Sequence, residues 1–163
     1  MTQFNTIKIK KYSDVIEEFV ANAELFPGML IELMSTGKVR KHATDDGNVL
    51  PMFALEDEMQ GGSIQDAYAA GDQVQCWIPY RGDIVYAILE DGQTVAIGDE
   101  LTSSGNGLLK KYVPSDDSTF RQHPLQIVGW AAEAMNLASS SGGDTDGVTL
   151  TGTGNRFMKV RIA

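Results

Sequence analysis

Few residues in this chain could do covalent or metal chemistry, and they are scattered. Cys76 is the single thiol, and His42 and His123 are the only imidazoles. A nucleophilic cysteine needs a neighbouring base and a setting that favours the thiolate. Cys76 lies between Gln75 and Trp77 in an apolar run and reads as a buried, inert thiol. Neither histidine has a second His or Cys at zinc-ligand spacing, so no metal is expected, and His123, just before Pro124, reads as a surface residue. Carboxylates sit side by side at Asp45/Asp46, Glu56/Asp57/Glu58, Glu90/Asp91, Asp99/Glu100 and Asp116/Asp117. Adjacent strand residues point to opposite faces, so these neighbours do not make a shared acid–base site. DTDG (144–147) is a fragment of a calcium loop without the rest. GTGNR (152–156) and SSGNG (103–107) lack the Lys-Ser/Thr of a phosphate loop and the strand–glycine–helix setting of a dinucleotide site. The residue types therefore point to binding or structure, with no enzyme activity and no cofactor expected. A small hydrolase using Cys76 or the clustered acids is the minority reading.

The elements that must carry these residues read as short strands. The 163 residues suit one domain, with 42% hydrophobic and 21% charged residues as in ordinary globular proteins. The 17 glycines and 5 prolines punctuate brief apolar runs such as QVQCWIPY (73–80), DIVYAILE (83–90) and RFMKVRIA (156–163). In the last, Met158, Val160 and Ile162 alternate with Phe157, Lys159 and Arg161, the period of a half-buried strand. One phrase recurs at 27–30, 70–74, 81–85 and 97–101: a glycine, usually followed by Asp, just before an apolar position. Gly accepts positive φ and Asp bonds nearby backbone, so each phrase predicts a tight corner feeding a strand. Arg81-Gly82-Asp83 spells a cell-adhesion tripeptide, but with no secretion signal at the start it reads as one of these corners. Two segments stay open between helix and strand. SDVIEEFVANAE (13–24) has helical spacing, and IVGWAAEAMNLA (127–138) is Ala-rich yet alternates. Trp77 and Trp130 read as core. The stretch 139–155 is almost entirely Gly, Ser, Thr, Asp and Asn and reads as a long flexible loop.

Charge narrows the partners. The net charge is −9, against a general nucleic-acid binder. No apolar run approaches the roughly 18 residues that cross a bilayer. The acidity is concentrated in 42–106, which holds twelve acids and one base, Arg81; the first twelve residues hold three lysines and no acid. The central acids are expected in solvent, opposite a less acidic face.

In their order, the turn phrases resemble the tailed-phage head decoration, or capsid cement, proteins. The matching elements are Leu25–Leu33, Gly37-Lys38-Val39, Pro51–Glu56, Ala67–Val74, Arg81–Ala87, Ile97–Leu101, Val128-Gly129 and the closing strand, covering roughly 5–138 and the last strand. No counterpart exists for 139–155. The resemblance implies a mainly β fold, a compact small β-barrel (β-tulip-like) with long loops and an N-terminal arm. It implies an arm or first strand at 1–12 and a single β-rich domain over 13–163. It also turns 15–24 from helix toward strand. The implied function is binding to the outer surface of an assembled phage head, made in the bacterial host cytoplasm, and stabilising contacts between capsomers. The implied partners are the major capsid protein and further copies of the chain as a homotrimer, with no nucleic acid and no membrane. Docking is expected through Phe4, Ile7, Lys8, Ile9, Lys10, Lys11 and Tyr12, with Ile7 and Ile9 open to the alternative of a first core strand. The competing class is a stand-alone β-barrel module binding a ligand such as carbohydrate.

Overall fold

The computed structural model describes residues 4–12, 14–114, 124–138 and 156–163. His123, Asp116/Asp117, DTDG and the rest of the 139–155 stretch lie outside the described residues. The fold is mainly β, with two single 3-10 turns, Glu58–Gln60 and Pro124–Gln126, among the described residues. The chain runs through β1 (Lys8–Lys10), β2 (Ile16–Val20), β3 (Ile31–Leu33), β4 (Val39–Lys41), β5 (Phe53–Ala54), β6 (Gln73–Trp77) and β7 (Ile84–Ile88). It continues through β8 (Thr94–Val95), β9 (Glu100–Ser103), β10 (Leu109–Lys111), β11 (Gly129–Ala131), β12 (Met135–Asn136) and β13 (Phe157–Ile162).

The largest sheet is antiparallel with the order β1-β7-β13-β11-β9-β10. Beside it lie a three-stranded sheet β2-β6-β5 and the pairs β3-β4 and β8-β12. The large sheet curls without closing as a continuous ladder. Its far edge returns toward β7 through an isolated bridge from Leu89 to Leu109 and a 2.7 Å bond from the Glu90 N–H to the Leu109 carbonyl.

Alternation decides which faces meet. In β13, Met158, Val160 and Ile162 are buried while Arg161 faces solvent. Phe157 is buried too, because Tyr86 of β7 stacks on it at 5.1 Å and Phe4 caps Tyr86 edge-on at 5.5 Å. The sheets share one core that includes Leu30, Ile31, Phe53, Trp77, Ile88 and Leu101. The ambiguous 13–24 segment forms strand β2. Its partner β6 supplies a ladder from Ile16↔Trp77 to Val20↔Gln73, and that pairing overrides helical propensity. The 127–138 segment forms β11 and β12.

Three of the expected corners share one construction. In 69–72, 80–83 and 96–99 the Asp N–H donates to the carbonyl three residues back (3.1, 3.0 and 3.1 Å). Its carboxylate accepts the N–H of that same residue at 2.7, 2.8 and 2.8 Å. The preceding glycine has φ of +97°, +92° or +90°, the left-handed third position that a type II turn requires.

Gly28 combines that conformation with a close approach. Its φ is +85°, and a Cβ there would lie 2.7 Å from Phe157 Cε1 and 3.1 Å from the Tyr86 carbonyl. Gly37 has φ +76° with nothing within 4 Å. Gly37→Ala is expected to cost the left-handed penalty alone, about 1–2 kcal/mol. Gly28→Ala is expected to add overpacking of roughly 1–3 kcal/mol. Urea denaturation of the two variants reads the difference.

Candidate functional site

The first strand is held at both ends by carboxylates from elsewhere in the chain. The Ile7 N–H donates to Glu56, 3.1 Å to Oε2 and 3.3 Å to Oε1, and the Tyr12 N–H donates to Asp83 Oδ1 at 2.7 Å. Glu56 is 3% exposed and Asp83 is fully buried. Between these clamps β1 pairs with β7 across a register shift and forms one edge of the six-stranded sheet. The Ile7 carbonyl also accepts the Tyr86 N–H at 2.8 Å. The expectation that the central acids face solvent is therefore corrected for these two. Each is internal because it terminates otherwise unpaired backbone donors, where a buried acceptor is worth most. Burial of Asp83 also withdraws the adhesion tripeptide from recognition.

The seven residues expected to dock divide into two groups. Ile7 is wholly in the core, and Phe4 and Ile9 pack against it. Lys8 is half-buried and pairs with Asp14 at 3.5 Å. Lys10, Lys11 and Tyr12 are exposed, Tyr12 by 68%. Lys11 also pairs with Asp14, whereas Lys10 Nζ lies 5.4 Å from the centre of the Tyr12 ring.

Strand register continues this exposed group across the sheet. Lys10 is opposite Ile84, Ile84 opposite Arg161, Arg161 opposite Trp130, and Trp130 opposite Glu100. Directly opposed residues share a face, so the outer face carries a row of cation, aliphatic, cation, indole and acid. Trp77 is in the core as expected, but Trp130 is only half-buried, because Gly129 and Ala131 take the inward positions of β11. Tyr80, 55% exposed, and Arg81 stand at the 80–83 corner beside this row, where Arg161 Nη1 reaches the Gly82 carbonyl at 3.4 Å. Among the described residues, Lys10, Arg81 and Arg161 have no carboxylate within ion-pair distance. Acids elsewhere are engaged: Glu133 with Lys159 at 3.7 Å, Asp99 with Lys111 at 2.8 Å, and Asp45 and Asp46 with Lys110 at 2.6 and 3.1 Å. Sequence reasoning missed Arg161, Ile84 and Trp130; the signal available was the alternation in 156–162, which marks Arg161 as outward.

The other candidate chemistry stays apart from this face. Cys76 is fully buried, and burial pushes its thiol up to about 12, so it stays protonated at neutral pH. His42 is buried, with Nδ1 2.7 Å from Ser103 Oγ and Nε2 3.2 Å from the Asn48 carbonyl. Among the described residues no three His, Cys, Asp or Glu side chains converge as a metal set would.

No family model matches the chain, and no curated protein matches it in sequence. Among solved structures it is similar to the N base of head fiber gp8.5 of bacteriophage phi29, with a TM-score of 0.53 and 13% identity. The likeness covers 93% of this chain and 95% of that one, and at this identity it is a likeness of fold.

Two predictions follow from the carboxylates. Asp83→Ala leaves two partly buried N–H groups without an acceptor and is expected to destabilise the fold by about 1–3 kcal/mol, read from the urea midpoint. The second concerns pH. The Ala96 N–H, then Lys111, hold the Asp99 carboxyl below its usual range, whereas burial, opposed by Lys110, raises that of Glu90. Asp99 therefore stabilises the fold above its unfolded pKa, and that contribution disappears as pH falls through the lower folded value. Glu90 has the opposite sign: its contribution is fullest below its unfolded pKa and is lost as pH rises through the folded one. At neutral pH Asp99→Asn should lower the denaturation midpoint and Glu90→Gln should raise it or leave it unchanged. Both differences should shrink in strong acid.

Proposed function

We propose that the chain is a capsid decoration protein that attaches to the outside of an assembled phage head and braces contacts between capsomers. The observation that carries this reading is the fold likeness, nearly end to end, to a base protein of a phage head fiber. The preformed β1 edge and its cationic row support it. A clamped strand edge offers backbone groups without an ordering cost, and Lys10, Lys11 and Arg161 complement carboxylates on the major capsid protein. Tyr12, Tyr80 and Trp130 supply apolar area at the same place. Phe4, Ile7, Lys8 and Ile9 contribute by fixing β1 in place.

The stabilisation is thermodynamic linkage. A protein that binds the closed lattice but not free subunits favours the lattice by mass action. Copies that associate at a capsomer junction, as a homotrimer would, add avidity to individually weak contacts. A second reading, carbohydrate binding, is favoured by the exposure of Tyr12 and Tyr80 beside one polar corner.

The test is co-sedimentation with heads purified without the protein. The wild-type chain should pellet with intact heads, less so as salt rises. Lys10→Glu combined with Arg161→Glu should weaken binding by roughly tenfold or more, about 1.4 kcal/mol. A wild-type chain that stays in the supernatant overturns the proposal, and selective retention on a glycan array would favour the second reading.

A further inference from the structure

The three-stranded sheet has an edge of a different kind. β6 lies between β2 and β5. The hydrogen-bond parity of β2 follows from the bonds that flank its ladder. The Ile78 N–H donates to the Val15 carbonyl at 3.0 Å, and the Ala21 N–H donates to the Asp72 carbonyl at 2.9 Å. The Leu55 N–H donates to the Gln75 carbonyl at 2.8 Å on the other side of β6. Odd residues of β2 therefore face β6, and the N–H and C=O groups of Ile16, Glu18 and Val20 point outward. At its carboxyl end this edge is covered by a parallel bridge between Ala21 and Val39 of β4, with the Asn22 N–H on the Val39 carbonyl at 2.8 Å; among the described residues no strand pairs with it at Ile16 and Glu18.

A groove of about 350 Å³ runs beside this edge. Phe19 and Glu17 of β2 line it together with Leu33, Leu50, Ile78 and Glu32. Leu33 is 55% and Leu50 82% exposed, so apolar surface is left open to water. Glu17 and Glu18 are exposed, and no cation pairs with either among the described residues. A purely apolar strand laid along β2 would desolvate these carboxylates without compensation. A strand bearing Lys or Arg on one face would pair with Glu18 while its alternate side chains cover Phe19 and Leu50 on the other.

We propose that β2 accepts an extended, lysine- or arginine-bearing segment of a partner protein by strand addition, with alternate apolar side chains of that segment filling the Phe19–Leu50–Ile78 groove. This surface is separate from the β1 row, and the proposal does not depend on attachment to a head. Main-chain bonds to Ile16, Glu18 and the Val20 N–H hold the segment, and the groove and Glu18 select its sequence.

The parity supplies an unusual test. Proline at 18 removes an N–H that points away from β6, a position where an edge strand tolerates it. The probe is a capped octapeptide alternating Lys and Val, with a control of the same sequence N-methylated at alternate residues. Amide hydrogen exchange by NMR is followed on the full chain. The unmodified peptide should newly protect the Ile16, Glu18 and Val20 amides, with the Glu17 and Phe19 amides already protected before it is added. The N-methylated control should not. Glu18→Pro should keep the β6-facing protection of Glu17 and Phe19 and lose peptide binding at least tenfold. Glu18→Lys should weaken binding of the basic peptide by a similar factor. Absence of new protection at millimolar peptide, or equal binding by Glu18→Pro with its β2–β6 protection intact, overturns the proposal and leaves the glutamates as guards against edge-to-edge association.

Discussion

Two internal carboxylates, Glu56 and Asp83, determine what the amino-terminal segment can be. Without them 4–12 would carry two unsatisfied backbone donors at the margin of the core. With them it is strand β1, sealed at Ile7 and again at Tyr12. Asp83 does this while closing its own corner through the Tyr80 N–H, so one buried side chain ties the start of the chain to the entrance of β7. The Phe4–Tyr86–Phe157 stack completes the attachment on the outer face of the sheet, and Lys159 lies 4.9 Å above the Phe4 ring. The segment is thereby an ordered edge and not a loose arm, so the proposed docking through it would lose less conformational entropy.

The same geometry explains how a chain of net charge −9 can present a cationic face. Charge counted along the chain is not charge displayed at a surface. Glu56 and Asp83 are internal, Asp14 is shared between Lys8 and Lys11, and Glu133, Asp99, Asp45 and Asp46 each hold a lysine. Pairing β1 to β7 and β7 to β13 then brings Lys10 and Arg161, distant in sequence, onto one row with Ile84 between them. On the other sheet the uncompensated charge is of opposite sign, at Glu17 and Glu18 of β2. Complementary edges of this kind favour contacts that are chosen by charge and held by backbone pairing.

Legibility in the sequence tracks the range of the interactions. The Gly-Asp corners are readable because each bond spans three residues. The closing strand is readable because apolar and charged residues alternate from Met158 to Ile162. The burial of Glu56 and Asp83 is not, since their partners lie 49 and 71 residues away and an isolated acid beside a turn looks like a solvated one. Helical spacing in 13–24 misleads for a related reason: the Trp77–Gln73 partner strand that makes it β2 is distant. Trp130 shows the limit of composition as a guide. An indole is a good core residue, but Gly129 and Ala131 are the ones that fit against the closely packed inner face. The segment proposed to dock is partly legible: basic and apolar residues do alternate in it, but which of them face outward is set by Glu56, Asp83 and the shift in register.

The most direct measurement is a cryo-EM reconstruction of heads saturated with the protein, at a resolution that fixes the orientation of the β-sheets. If the proposed attachment holds, the β1 edge and the Lys10–Ile84–Arg161–Trp130 row will lie against the shell at a junction between capsomers. Density showing that row turned to solvent, with another surface seated on the capsid, would contradict it.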